Sequence, residues 1–235
     1  MIATINKLNW DSDFFKINVG ELIVDDSHSI DDSCLQNFDL IVVKQKTDNQ
    51  IHLKNFNTPF EETKFVFTKK FTSDFILHNS TLEILNTDEY PIDAHLLFDL
   101  AFESGKYSRF KLDNHFPDSS FKALYQLWVL NSINKQFADK VYYIKHTDNS
   151  IIGFVTLRVH KNHASIGLIA ISDRFQGQGI GKQLLQKVET YCYSNQINEL
   201  QIPTQKKNTI ACCFYKKNGY SILEETIIKH YWKNN

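Results

Sequence analysis

The residues best equipped for chemistry in this 235-residue chain lie late in the sequence, in Arg174-Phe175-Gln176-Gly177-Gln178-Gly179-Ile180-Gly181-Lys182. Three glycines fall where a strand-like run, Ala164 to Ile171, gives way to a helical one whose Ile180, Leu184, Leu185, Val188 and Cys192 share a face. Lacking Cβ atoms, such a turn lets successive backbone N–H groups converge and lets a ligand approach the main chain. The helix N-terminus adds partial positive charge. The chemistry is that of an anion cradle, suited to a pyrophosphate.

The spacing narrows the ligand. Gln183 stands where a nucleoside-triphosphate loop needs the metal-binding hydroxyl after Lys182, and Gly177-x-Gly179 lacks the third glycine of a dinucleotide fingerprint. A metal is not expected: His160 and His163 flank a hydrophilic Lys161-Asn162 turn with no cysteine or carboxylate close by in sequence. The cysteines at 34, 192, 212 and 213 form no C-x-x-C pair, and reduced thiols suit the cytosol. With 26 Lys+Arg against 27 Asp+Glu, the chain lacks the basic footprint of a nucleic-acid binder. No apolar run approaches the ~20 residues needed to span a bilayer, and the start lacks a leader pattern, so a cytoplasmic protein is expected.

The elements that must position the turn follow from periodicity. Up to about residue 85 the chain has short apolar runs, such as Asp39 to Lys44 and Lys64 to Thr68, that predict strands. From Asp93 the spacing turns helical, with Leu96, Leu97, Leu100 and Ala101, then Phe121, Leu124, Tyr125, Trp128 and Val129. Strands are predicted over 141–144, 151–159, 164–171, 199–202 and 227–232, and helices from Gly179 and over 209–217, the latter ending at Gly219. This order predicts an α/β (α+β) fold, a mixed central sheet flanked by helices, with an N-terminal strand-rich lobe at 1–85 ahead of a core at 86–235.

Gln176-x-x-Gly179-x-Gly181, after a strand ending Leu168-Ile169-Ala170-Ile171, resembles the signature of the GCN5-related N-acetyltransferase (GNAT) superfamily. Asn208-Thr-Ile-Ala211-Cys-Cys-Phe-Tyr215-Lys-Lys-Asn-Gly219-Tyr220 resembles that family's later segment. The resemblance, which covers roughly Asp93 onward, implies acetyl-coenzyme A as co-substrate. Main-chain groups of Ile169, Ala170 and Ile171 would pair with its pantetheine arm. Gln176, Gly177, Gln178, Gly179, Ile180, Gly181 and Lys182 would hold its pyrophosphate, and Asn208 would contact it. In the family the strand carrying Ile169 bulges and parts from its neighbour, leaving an amide for the thioester oxygen. The resemblance makes Tyr215 the general acid to the departing thiolate; without it, Tyr215 reads as a core aromatic of an amphipathic helix. Cys212 and Cys213 are read as packing residues, and transfer as direct. For the base, Glu103, Asp113, His115 and ordered water all remain open.

A second resemblance concerns the acceptor. Leu8-Asn9-Trp10-Asp11-Ser12-Asp13-Phe14-Phe15, and Ala101 to Phe110 ahead of Asp113, look like segments of bacterial dTDP-fucosamine acetyltransferases. This implies acetylation of the 4-amine of a dTDP-linked 4-amino-4,6-dideoxyhexose, in a family where homodimers are common. Tyr107 and Phe110 could stack on base or sugar and Arg109 could grip a phosphate, or the segment could be a helix-end loop with Arg109 solvated and Phe110 and Phe116 in the core. Trp10, Phe14 and Phe15 are read as packing. The alternatives are another amine, such as a protein N-terminus, a lysine or a polyamine, and a non-catalytic acyl-coenzyme A binding module.

Overall fold

The computed structural model describes residues 2–24, 29–30, 32–77 and 80–234. Its strands are β1 (Ile2–Ala3), β2 (Ile5–Lys7), β3 (Val19–Val24), β4 (Ser29–Ile30), β5 (Leu40–Gln45), β6 (Phe56–Lys70), β7 (Leu85–Asn86), β8 (Lys140–Lys145), β9 (Ile151–Val159), β10 (Ala164–Ile171), β11 (Glu199–Gln205) and β12 (Ser221–Lys233). The helices are α1 (Asn9–Phe15), α2 (Phe98–Ser104), α3 (Arg109–Leu112), α4 (Asp118–Ile133), α5 (Ile180–Ser194) and α6 (Thr209–Lys217). The mixed α/β fold expected from the periodicity is the one adopted. Among the described residues no helix is long and apolar enough to cross a membrane.

Ten strands form one mixed sheet in the order β2-β3-β5-β12-β6-β11-β10-β9-β8-β7. Strand β6 lies between β11 and β12, antiparallel to both, from Glu199↔Lys70 to Gln205↔Lys64 on one side and from Ser221↔Thr68 to Lys233↔Phe56 on the other. Residue 85 therefore separates two sequence patterns without separating two sheets.

Alternation along the strands builds a core on each face. In β8, Val141 and Tyr143 join Leu97, Ala101, Leu124 and Val129 beneath α2 and α4, while Tyr142 and Ile144 join Leu184, Leu185 and Val188 beneath α5. The sheet is thus covered on both sides, as its apolar central strands require. A third cluster, with Leu22, Ile41 and Val43, closes the end formed by β3 and β5.

Two polar ties fix β6 and the helices around it. Glu189 of α5, nearly fully buried, accepts from Lys69 Nζ at 2.9 Å and from the Tyr220 hydroxyl at 2.8 Å. Helix α6 stops in a paired cap in which Tyr220 N donates to Tyr215 O and Gly219 N to Lys216 O, both at 3.1 Å, with Gly219 at φ 84°. Together these set the depth at which Tyr215 enters the core.

Candidate active site

The site begins where two parallel strands separate. β10 pairs with β11 only at Ala164↔Leu200 and Ser165↔Gln201, and its register with β9 shifts between Ile166 and Ile169. A bulge at that point bends the strand away from its neighbour. Past Ser165, the β11-facing edge of β10 therefore runs without a strand partner, along the Ile169-Ala170-Ile171 stretch expected to hold an extended chain. Such an edge accepts an added strand-like ligand.

The open edge leads to the glycine turn. Gly177 and Gly179 sit at φ 75° and 79°, which only glycine adopts freely, and a Cβ built on either would meet no protein atom within 4 Å. The space over them is empty, and α5 begins at Ile180 with its first amides directed there. The cradle fits a pyrophosphate by this test. Gln176 lines the cleft and braces the turn, its Nε2 donating to Ile171 O at 3.0 Å and Asp173 Oδ1 at 2.7 Å. Gln178 lies outside the cleft lining, its Nε2 donating to Arg174 O at 3.4 Å. Gln183 ties a neighbouring loop, its Oε1 accepting from Thr81 N at 2.9 Å and Leu82 N at 3.1 Å.

Fork and cradle open into one cleft of about 1170 Å³, which Tyr215 and Asn208 also line. Asn208 caps α6, its Oδ1 accepting from Ala211 N at 3.2 Å. Tyr215, only 3% exposed, is wedged against Phe67 and Phe214, with ring centroids 5.4 Å away in each case. Burial drives its hydroxyl pKa well above the ordinary tyrosine value, so the proton stays on until a stronger base appears beside it. Cys212 lies outside the lining, its thiol donating to Gln205 O at 3.6 Å and raised in pKa by burial. Neither property suits a nucleophilic thiolate.

The opposite wall comes from α1, β5, β6 and the residues around α3. Arg109, Tyr107 and Phe110 all line it. Phe110 also belongs to the core, stacked on Phe15 at 5.3 Å, with the Arg109 guanidinium 4.6 Å from its ring centroid. Phe14 and Phe15 pack as expected. Trp10 departs from that expectation: stacked on Phe14 at 5.2 Å, it keeps 43% of its surface and lines the cleft. A large ring left exposed in a concavity is available to a ligand.

Two of the residues considered as bases are elsewhere. Asp113 is buried outside the cleft lining, accepting from His230 Nδ1 at 2.6 Å and Trp232 Nε1 at 2.9 Å, with His115 Nδ1 3.0 Å away. His115 stacks on Trp232 at 4.7 Å and likewise does not line the cleft. Glu103 does line it, but is exposed and paired with Lys106 at 3.2 Å. Sequence reading missed Glu62, a β6 residue 6% exposed and lining the same cleft. Its Oε2 and the Arg109 Nη1 are both buried and lack hydrogen-bond partners. Burial pushes the Glu62 carboxyl up to about 7, against the lowering pull of Arg109, Lys64 and Lys207. No local signal marked it, because Glu62 stands between Glu61 and Thr63 in a polar stretch that reads as solvent-facing.

A forked parallel pair, a glycine cradle at a helix N-terminus and a buried tyrosine thus line one cleft. The sequence profile of the Acetyltransferase (GNAT) family matches residues 97–220, and the chain belongs to that family. It is similar to an uncharacterized protein, YxbD, of Bacillus subtilis, 31% identical over 34% of this chain and 50% of the relative. It also resembles a spermidine N(1)-acetyltransferase of Thermoplasma acidophilum, 25% identical over 55% of this chain and 83% of the relative. A crystal structure of a GCN5-related N-acetyltransferase from Sphaerobacter thermophilus shares the fold, with a TM-score of 0.51, 12% identity and coverage of 83% of this chain and 61% of the other. The first of these relatives is matched over only half its length.

Proposed function

We propose that the chain is a cytoplasmic, acetyl-coenzyme A-dependent N-acetyltransferase that transfers acetyl directly to a small-molecule amine, the 4-amine of a dTDP-linked 4-amino-4,6-dideoxyhexose. The observation that carries the transferase reading is the single cleft joining the free edge of β10, the Gly177–Gly179 cradle and Tyr215. Acetyl-coenzyme A supplies the acetyl thioester. Backbone groups of Ile169, Ala170 and Ile171 hold its extended arm, and amides from Gly177 through Lys182 take its pyrophosphate, with Asn208 alongside. Tyr215 keeps its proton at neutral pH and hands it to the leaving sulfur. Gln176 holds the turn's shape. Metal chemistry has no part in this reading.

The acceptor reading rests on the far wall. Lys44 pairs with Glu21 and Lys106 with Glu103, which leaves Lys64 and Arg109 beside Asp11 and Glu62, both carboxyls raised in pKa by burial. At neutral pH that end leans positive, and Trp10 and Tyr107 offer ring faces for a base or a sugar. An acceptor with one amine and a phosphorylated, ring-bearing tail fits this balance. A polyamine is the second reading, favoured by the likeness to a spermidine acetyltransferase. It would need a surplus of carboxylates that the lining lacks.

The test is thiol release from acetyl-coenzyme A with dTDP-4-amino-4,6-dideoxygalactose, its glucose epimer, a UDP-linked analogue, spermidine and a lysine peptide. Selective turnover of a dTDP-amino sugar is the expected result and names the epimer. Preference for spermidine moves the acceptor to the second reading. Tight acetyl-coenzyme A binding with no turnover of any amine supports an acyl-carrier binding module instead.

A further inference from the structure

The bend that opens the cleft is held by a side chain. In β10, Ala164 and Ile166 pack in the core beneath α5, whereas Leu168 and Ala170 pack in the core beneath α2 and α4. Even-numbered residues thus change faces across Gly167, which one extra residue in the strand produces. The pairing locates it: Ile166 lies opposite Leu157 and Ile169 opposite Val155, so Gly167 and Leu168 share Thr156 between them. A bulge leaves a main-chain group without its ladder bond, and inside a core that group needs another partner. Leu168 N finds one in Thr156 Oγ1, donating to it at 2.9 Å. Thr156 is 2% exposed and does not line the cleft. Gly167 makes room for the bond, since a Cβ there would stand 3.1 Å from the hydroxyl oxygen, closer than side chains normally pack.

That bond fixes which way the neighbouring amides face. Along an antiparallel strand, successive residues turn their main-chain groups to opposite edges. Thr156 draws Leu168 N toward β9, and Ser172 N is drawn to the same strand by Ile152 O at 2.8 Å. Ile169 and Ile171, lying between, therefore present their main-chain groups to the other edge, where β11 has parted from β10.

We infer that Thr156 is a positioning residue for the transfer: its hydroxyl locks the bulge so that the Ile169 N–H is held toward the thioester oxygen of bound acetyl-coenzyme A. The inference rests on the acetyltransferase reading and names the side chain that fixes the amide which that reading uses. A donor aimed at developing charge works best when it is already in place, with nothing left to reorganise. Without the hydroxyl, Leu168 N is a buried amide with no partner. The strand then gains by twisting it back toward β9 main chain, and the Ile169 amide next to it turns with it. Thr156 acts through the backbone and touches neither substrate.

Two variants isolate the hydroxyl. Thr156→Val keeps the branched shape and loses the acceptor; Thr156→Ser keeps the acceptor and loses a methyl. Three measurements go together on the full chain: calorimetric acetyl-coenzyme A binding, the isotope-edited infrared band of bound acetyl-coenzyme A carrying carbon-13 at the thioester carbonyl, and kcat and KM with the preferred acceptor of the panel. A hydrogen bond to that carbonyl lowers its stretching frequency, so the band reads the amide directly and needs no acceptor. Wild type and the serine variant should bind acetyl-coenzyme A with a lowered frequency. The valine variant should bind it as tightly, return the band toward that of the free thioester and lose kcat by about 10–100-fold, with KM for acetyl-coenzyme A unchanged. A valine variant that melts lower yet keeps both the lowered band and kcat gives Thr156 a purely structural role, which overturns the inference and leaves the transferase standing. A serine variant that behaves like valine overturns it too, since the methyl and not the hydroxyl would then matter. A wild-type band at the free frequency overturns it even where the valine variant fails to fold. If wild-type protein binds no acetyl-coenzyme A, the parent reading fails first and the inference falls with it.

Discussion

Glu62 on β6 and Arg109 at the start of α3 line the same wall of one cleft, each with an enclosed polar side-chain atom that no protein group satisfies. Their chain positions, 47 residues apart, lie on either side of the boundary read from the sequence at residue 85. That wall of the cleft is therefore a joint product of the two segments. Neither would present it alone.

The pKa of Glu62 makes stability depend on pH in a direction opposite to most paired carboxylates. Its folded value, about 7, lies above the ordinary 4.5, so the native state holds the proton more tightly than the unfolded chain. Stability is then full below pH 4.5 and falls as pH rises toward 7. Glu62→Gln removes that loss. Denaturant titration should find the variant more stable than wild type at pH 8, by about 3 kcal/mol, and level with it at pH 4.

The Asp113–His230 pair acts in the other sense. Burial alone would raise Asp113, but hydrogen bonds from His230, Trp232 and the His115 amide outweigh it and hold the carboxyl at about 2. Burial lowers His230, whose Nε2 is enclosed without a partner, so the imidazole stays neutral in the fold. Both groups release protons more readily folded than unfolded. Their contribution is present above about pH 6.5 and is lost as the pH falls, first through histidine and then through aspartate. Asp113→Asn should cost about 3 kcal/mol at pH 7, with a smaller difference at pH 3, read from thermal melts.

Tyr215→Phe separates proton donation from packing. The ring stays against Phe67 and Phe214, so the melting temperature and acetyl-coenzyme A affinity should hold. Turnover should drop by about 10²–10⁴-fold. Rapid-quench measurement of the chemical step checks it; an unchanged rate removes Tyr215 from the mechanism.

The glycine turn gives a matched pair. Gly179→Val places a branched side chain at φ 79°, in the empty space above the turn, and should abolish acetyl-coenzyme A binding in calorimetry. Gly181→Ala is the contrast. A Cβ there meets Ile171 and Phe214 at an ordinary 3.6 Å, and it lies within α5, where alanine favours the helix by up to about 1 kcal/mol. That variant should bind and melt like wild type or slightly higher.

The local elements were legible because local periodicity encodes them. Ile180, Leu184, Leu185, Val188 and Cys192 fall on the buried face of α5, and the strand predicted over 164–171 is β10, residue for residue. The glycine turn and the Asn208-to-Gly219 segment were readable for the same reason, each being one cap and one helix. What periodicity does not carry is which strand lies beside which. The Lys64-to-Thr68 run announces a strand, yet nothing within it says that its partners are Thr226 and Gln205. Glu62 was overlooked on that account, since a charge in a strand reads as solvent-facing until its neighbours are known. Asp113 looked available for chemistry because His230 and Trp232, which enclose it, come more than a hundred residues later.

The seat of β6 between β11 and β12 also has a consequence for biosynthesis. As the polypeptide leaves the ribosome, this 15-residue strand emerges well before residues 199–233 exist to flank it. At ordinary elongation rates the gap is roughly ten seconds. During that interval both of its edges are bare, because neither of the strands that flank it in the sheet has been made. The alternating charges Glu62 and Lys64 then serve a second purpose, keeping an unpaired strand from recruiting others like it.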